Sequence, residues 1–114
     1  MSLLKIFQWI AVIGTFLTGL YSLLWPTRVE DFTGLQPVGG RGVTEIRAIL
    51  GAVFIGLALA AVLLDHGVSF PMLGMTYLVI AGIRTISMFI DQSLETSNYI
   101  SIAVEVVFGV LLIL

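Results

Sequence analysis

The chain contains no cysteine, a single histidine, and only five basic and seven acidic side chains among 114 residues. Each shortage excludes something. Without cysteine there is no disulfide, no thiolate metal ligand and no thiol nucleophile. One histidine cannot build a His-rich metal site or a nucleophile–base pair with a second imidazole. The basic residues are scattered rather than clustered on one face, so no nucleic-acid footprint is present. The scarcity of charge decides the class. A soluble domain carries roughly 25% charged residues; this one carries 11%, against 59% hydrophobic residues, with a mean hydropathy of +1.13. Such a chain cannot cover a water-facing surface, and its solvent is lipid.

What is present is a set of long apolar runs. A bilayer core of about 30 Å needs roughly 20 helical residues. Four stretches meet or approach that length, predicting spans at about 4–24, 44–64, 70–90 and 97–114. Trp9 and Trp25 flank the first, and Pro26 stops it. The charge-free run from Ile6 to Thr27 exceeds a signal-peptide core and has no small-residue cleavage site, so it is read as a retained span. Thr44 is the expected N-cap of the second span and Asp65-His66-Gly67 its stop. Pro71 suits the first turn of the third.

The only long connection, residues 26–43, reads as an interfacial segment. Thr27-Arg28-Val29-Glu30 has capping-box spacing, Phe32 and Leu35 supply an apolar side, and Gly39-Gly40-Arg41-Gly42 reads as a flexible return. The expected fold is all-α, a single-domain, integral membrane four-helix bundle, because helices satisfy their own backbone in lipid. An even number of spans puts both termini on one side. The Lys and Arg count leans towards that side being outside.

Charged residues inside the spans carry the most information, since each costs about 2.5–3.5 kcal/mol near a helix centre and so tends to face inward and pair. Counting from the loop at Asp91, Arg84 lies about 10 Å deep and Glu105 about 12 Å deep on the neighbouring helix. That is pairing geometry. Arg47 enters from the same side, with Glu45 two residues before it. Glu45, Arg47, Arg84 and Glu105 together are expected to form a neutral buried charge cluster. Ala48, Ala52, Gly56 and Ala60 form an i, i+4 stripe of small residues on the second span, and Ser101 and Gly109 flank Glu105 at the same spacing on the fourth. Such faces let helices approach closely in lipid.

No catalytic constellation, metal motif or cofactor motif is visible; Asp91 and Glu95 read as a solvated cap, His66 as a loop residue. The expected role is non-catalytic: a scaffold or accessory subunit of a membrane complex, with the lipid bilayer, other membrane subunits or its own copies as partners, and no nucleic acid. The alternative is a small proton-coupled transporter working as an oligomer with Glu105 as its ionisable site. Small multidrug resistance transporters share the four-span size, but they carry their essential Glu in the first helix, where this chain has no acid.

Three segments resemble one known family. They are Thr44-Glu45-Ile46-Arg47-Ala48-Ile49-Leu50-Gly51-Ala52 followed by Ile55-Gly56-Leu57; Ala81-Gly82-Ile83-Arg84-Thr85-Ile86-Ser87; and Glu105 within Ala103-Val104-Glu105-Val106. In this order and spacing they resemble the bacterial family called domain of unknown function 4345, whose members are small four-span membrane proteins. The resemblance implies a multi-pass protein of the bacterial inner membrane with both termini cytoplasmic, against the lean of the charge count. It implies no known activity. The second loop here lacks the basic residues that relatives often carry.

Overall fold

A computed structural model describes all residues, Met1–Leu114. The protein is all-α, with four helices long and apolar enough to cross a membrane: Leu3–Leu24, Gly39–Leu63, His66–Ile90 and Thr96–Ile113. They are called the first to fourth spans below. At 1.5 Å per residue the 22 residues of the first span and the 25 of the second and third exceed a 30 Å core, whereas the 18 of the fourth fall just short of it.

Local chemistry sets where each span begins and ends. Ser2 opens the first, its Oγ accepting from the Lys5 N–H at 3.1 Å. Pro26 closes it by forcing Trp25 out of helical geometry, to φ −130° and ψ 66°. The interfacial segment then makes a 3-10 turn, Pro26–Arg28, and one α-turn, Glu30–Thr33. Gly34, at φ +75°, ends that turn with its N–H on the Glu30 carbonyl. The capping box does not form. Val29 occupies the cap position with no side-chain bond, and Thr27 belongs to the preceding 3-10 turn. The apolar side of the segment behaves as expected: Val29 is buried, and Phe32 and Trp25 each meet the Tyr21 ring at about 5.5 Å.

Two spans start earlier than the sequence suggests. The second begins at Gly39 rather than Thr44, so the glycine-rich stretch is helical and not a flexible return. Gly39, at φ +65°, makes the turn into it. Thr44 is no cap; its hydroxyl donates to the Gly40 carbonyl one turn back. The third span begins at His66, four residues before Phe70, because Asp65 caps it: the Asp65 carboxylate accepts from the Gly67 N–H at 3.1 Å and its carbonyl from the Val68 and Ser69 N–H groups. The residues expected to stop one helix therefore start the next. Gln92, at φ 51°, closes the third span, with the Ser93 N–H on the Met88 carbonyl.

The chain divides into two compact units, one of Met1–Ala11 with Leu64–Leu114, the other of Val12–Leu63. In the first, the third and fourth spans run at backbone contact distance. A Cβ on Gly74 would lie 2.7 Å from the Gly109 carbonyl oxygen, and one on Gly109 2.6 Å from a Leu78 methyl. Tyr77 meets Phe108 edge to face beside them. In the second unit Gly19 plays the same part, its missing Cβ leaving room for the Gly51 carbonyl at 2.7 Å and the Ile55 nitrogen at 2.8 Å.

The small-residue stripe on the second span is not the face that packs here. Ala48, Ala52 and Gly56 are exposed and Ala60 is half-buried, whereas Ile46, Gly51, Ala58 and Ala61 are buried. The physical reason is local: Ile46–Val53 is wound as a π-helix. Its i→i+5 bonds widen the turn and bring Ile46 and Gly51, five residues apart, onto the inward face, so the small-residue stripe is turned outward. On the fourth span Gly109 is buried and Ser101 half-buried.

Glycine positions that look alike in the sequence should therefore respond differently to one methyl group. Gly74→Ala and Gly19→Ala must push two backbones apart and are expected to cost about 1–3 kcal/mol. Gly56→Ala and Gly82→Ala, with nothing within 4 Å of the new Cβ, should be neutral or slightly stabilising. Thermal unfolding of the four variants in one detergent separates the two groups.

Candidate functional site

Arg84 stands six residues before the end of the third span and Glu105 nine residues after the start of the fourth. At 1.5 Å per residue that is about 9 Å and 13 Å from the connecting loop, close enough for a long guanidinium arm to meet a carboxylate. Three bonds join them. Arg84 Nε donates to Oε1 at 3.0 Å and to Oε2 at 3.2 Å, and Nη2 donates to Oε2 at 2.9 Å. Both carboxylate oxygens are thus engaged by one planar fork, the arrangement arginine makes and lysine cannot. The Glu105 side chain is 11% exposed and that of Arg84 33%.

The remaining face of the guanidinium is directed towards the loop. Nη1 donates to Asn98 Oδ1 at 3.1 Å, and the Asn98 amide donates to the Ser93 carbonyl at 2.9 Å and to its hydroxyl at 2.8 Å. A continuous polar chain runs from the loop at Ser93 through Asn98 and Arg84 to Glu105. No buried side-chain nitrogen or oxygen lacks a hydrogen-bond partner, which is the condition under which a polar network is tolerable in apolar surroundings. Ser101, one turn before Glu105, lies half-buried on the same face.

Of the four residues expected to share one buried charge cluster, Arg84 and Glu105 meet, but Glu45 and Arg47 are exposed. The earlier start of the second span explains Glu45. It places Arg41 one helical turn away, and Arg41 Nε takes the Glu45 carboxylate at 3.2 Å as an exposed i, i+4 pair. Such a pair contributes only a few tenths of a kcal/mol.

Three polar residues that matter were not singled out in the sequence. Asn98 and Ser93 complete the chain just described. Gln8, 7% exposed, donates its side-chain amide to the Leu111 carbonyl at 2.9 Å; that carbonyl is one of the last four of the fourth span, which have no partner within their own helix. A signal for two of them existed. Asn98 precedes Glu105 by seven residues, hence two turns along one face, and Gln8 is a polar amide within an apolar, charge-free run. His66 is the first residue of the third span, its ring stacked on Phe70 at 4.5 Å and edge-on to Trp9 at 5.5 Å. No group of three or more His, Cys, Asp or Glu residues is placed to hold a metal.

The geometry predicts strong coupling between the two charged partners. Arg84→Leu or Glu105→Leu alone leaves one buried charge uncompensated and should cost roughly 3–5 kcal/mol, with the Glu105 charge the worse to strand because it is the better buried. The double Leu variant should recover most of that loss, and a double-mutant cycle on unfolding midpoints measures it. Additive single effects would show that the contact is not energetically coupled.

No curated protein and no solved structure matches the chain. The family model described as Domain of unknown function (DUF4345) matches residues 3–114, which takes in all four spans and the Arg84–Glu105 pair. The chain belongs to the DUF4345 family.

Proposed function

We propose that this multi-pass protein is a non-catalytic scaffold or accessory subunit of a membrane complex, in a bacterial inner membrane. The observation that carries the reading is the state of Glu105. The buried carboxylate has both oxygens engaged by Arg84, whose third donor atom is in turn engaged by Asn98. A group that carries protons or attacks a substrate needs an open approach, and this one is braced on the side of its partner helix. Its role in this reading is to hold the third and fourth spans in register.

A second feature supports docking. Between 17% and 28% of the core window of each span is buried within the chain. The other residues of each window are open at least in part to lipid or to other subunits. The exposed Ala48, Ala52 and Gly56 face of the second span offers the kind of low-relief surface on which membrane helices associate.

The reading is tested by extracting the full chain in mild detergent. It predicts a stoichiometric membrane partner that Gly56→Phe releases without lowering the protein's own unfolding temperature. Recovery solely as a monomer, together with substrate-dependent proton flux in vesicles that Glu105→Gln abolishes, would replace the scaffold with a transporter.

A further inference from the structure

At one end of the unit formed by Met1–Ala11 and Leu64–Leu114 lies an open cavity of about 370 Å³, within the roughly 300–1,000 Å³ range of small-ligand sites. Lys5, Gln8 and His66 form its polar wall; Leu4, Pro71 and Leu112 are among its apolar residues. Lys5 and His66 stand in the first turns of the first and third spans. A span end lies at the level of lipid headgroups, so the cavity opens where a headgroup meets its acyl chains.

Lys5 is the charged side chain of this cavity, and Leu114, the last residue, also lines it. The Lys5 ammonium sits 5.0 Å from the centroid of the Phe70 ring, a placement that orients it by attraction to the ring face. No carboxylate lies within ion-pair distance of it; the chain's side-chain ion pairs are Arg41–Glu45 and Arg84–Glu105. The nearby acid, Asp65, turns its carboxylate onto the Gly67 N–H as the cap of the third span. The walls are fixed. Gln8 is tied to the Leu111 carbonyl, and Trp9, His66 and Phe70 interlock, with ring centroids 4.5–5.6 Å apart. A cation aligned on the buried Phe70 ring, continuous with an aliphatic wall, matches an amphiphile with an anionic head.

We propose that this cavity binds the phosphate headgroup of an anionic phospholipid, with Lys5 as the charged contact, His66 as part of the headgroup wall and Leu4, Pro71 and Leu112 against the upper acyl chain. This assignment is independent of the scaffold reading, which concerns the opposite loop and the outward faces.

Native mass spectrometry of the full chain in a neutral detergent tests it, with phosphatidylglycerol and phosphatidylcholine of identical acyl chains added in turn. Retention of phosphatidylglycerol should exceed that of phosphatidylcholine about fivefold, the weight of one basic group at an anionic surface. Lys5→Gln should remove the preference and Lys5→Arg keep it. Arg28→Gln, which does not line the cavity, should leave it intact. Equal retention of the two lipids by the unaltered protein overturns the proposal, whether or not the variants fold. An equal loss in Lys5→Gln and Arg28→Gln overturns the assignment to this cavity. Displacement of bound phosphatidylglycerol by millimolar inorganic phosphate overturns the lipid in favour of a soluble phosphate ligand.

Discussion

An arginine and a glutamate placed a third of the way into a lipid layer are tolerable only together. Separately, each would carry the full cost of an ion in a medium with no water to solvate it. Joined through three hydrogen bonds they present a neutral, internally satisfied unit. That requirement reaches beyond the two side chains. The fork of Arg84 meets Glu105 only if the third and fourth spans keep their present rotation and height, so the pair sets the register of the helices that carry it. The close approach at Gly74 and Gly109 follows the same register. With side chains larger than glycine there, the helices would stand too far apart for the guanidinium to engage both oxygens while still reaching Asn98.

The unit of Val12–Leu63 solves its packing differently, with no buried charge. Gly19 admits the second span against the first, and Gly51 admits Leu23 at 3.2 Å. Its hydroxyls are returned to their own helices: Thr18 donates to the Gly14 carbonyl and Ser22 to the Thr18 carbonyl, both at 2.9 Å. Back-bonding of this kind satisfies a hydroxyl without asking for a partner helix. The π-helical stretch Ile46–Val53 is the price of meeting the first span with Gly51. It turns Ile46 and Gly51 inward and leaves Ala48 and Ala52 outside.

The division between what was legible in the sequence and what was not follows physical range. Four spans were legible because hydropathy over 20 residues is a bulk property that no single contact can overrule. The Arg84–Glu105 contact was legible because two antiparallel helices joined by a short loop have depths that can be counted from that loop. Helix starts were less accessible. Gly39-Gly40-Arg41-Gly42 has poor intrinsic helix propensity, yet it is helical, and Asp65, which follows the end of the second span at Leu63, also caps the third. The small-residue stripe of the second span does form one face, but which way that face points depends on the winding of Ile46–Val53, and nothing in those residues announces a π-helix. Gln8 on Leu111 and Lys5 over Phe70 join residues more than sixty positions apart; no local pattern encodes them.

Taken together, the polar groups of the spans are almost all occupied in holding the protein's own backbone and side chains. Glu105 serves Arg84, Asn98 serves Arg84 and Ser93, Gln8 serves Leu111, and Asp65 serves Gly67. In a chain with so few polar side chains this allocation limits where function can reside. A residue already committed to satisfying a buried group cannot bind a second partner without releasing the first, and in lipid the released group finds no water in exchange. The positions left uncommitted are at the margins. Lys5 lines a cavity and makes no ion pair, and Arg47 and the small residues after it lie on an exposed helix face. The interior polar groups hold one another, and recognition is accordingly proposed at the headgroup level and on the outward faces of the helices.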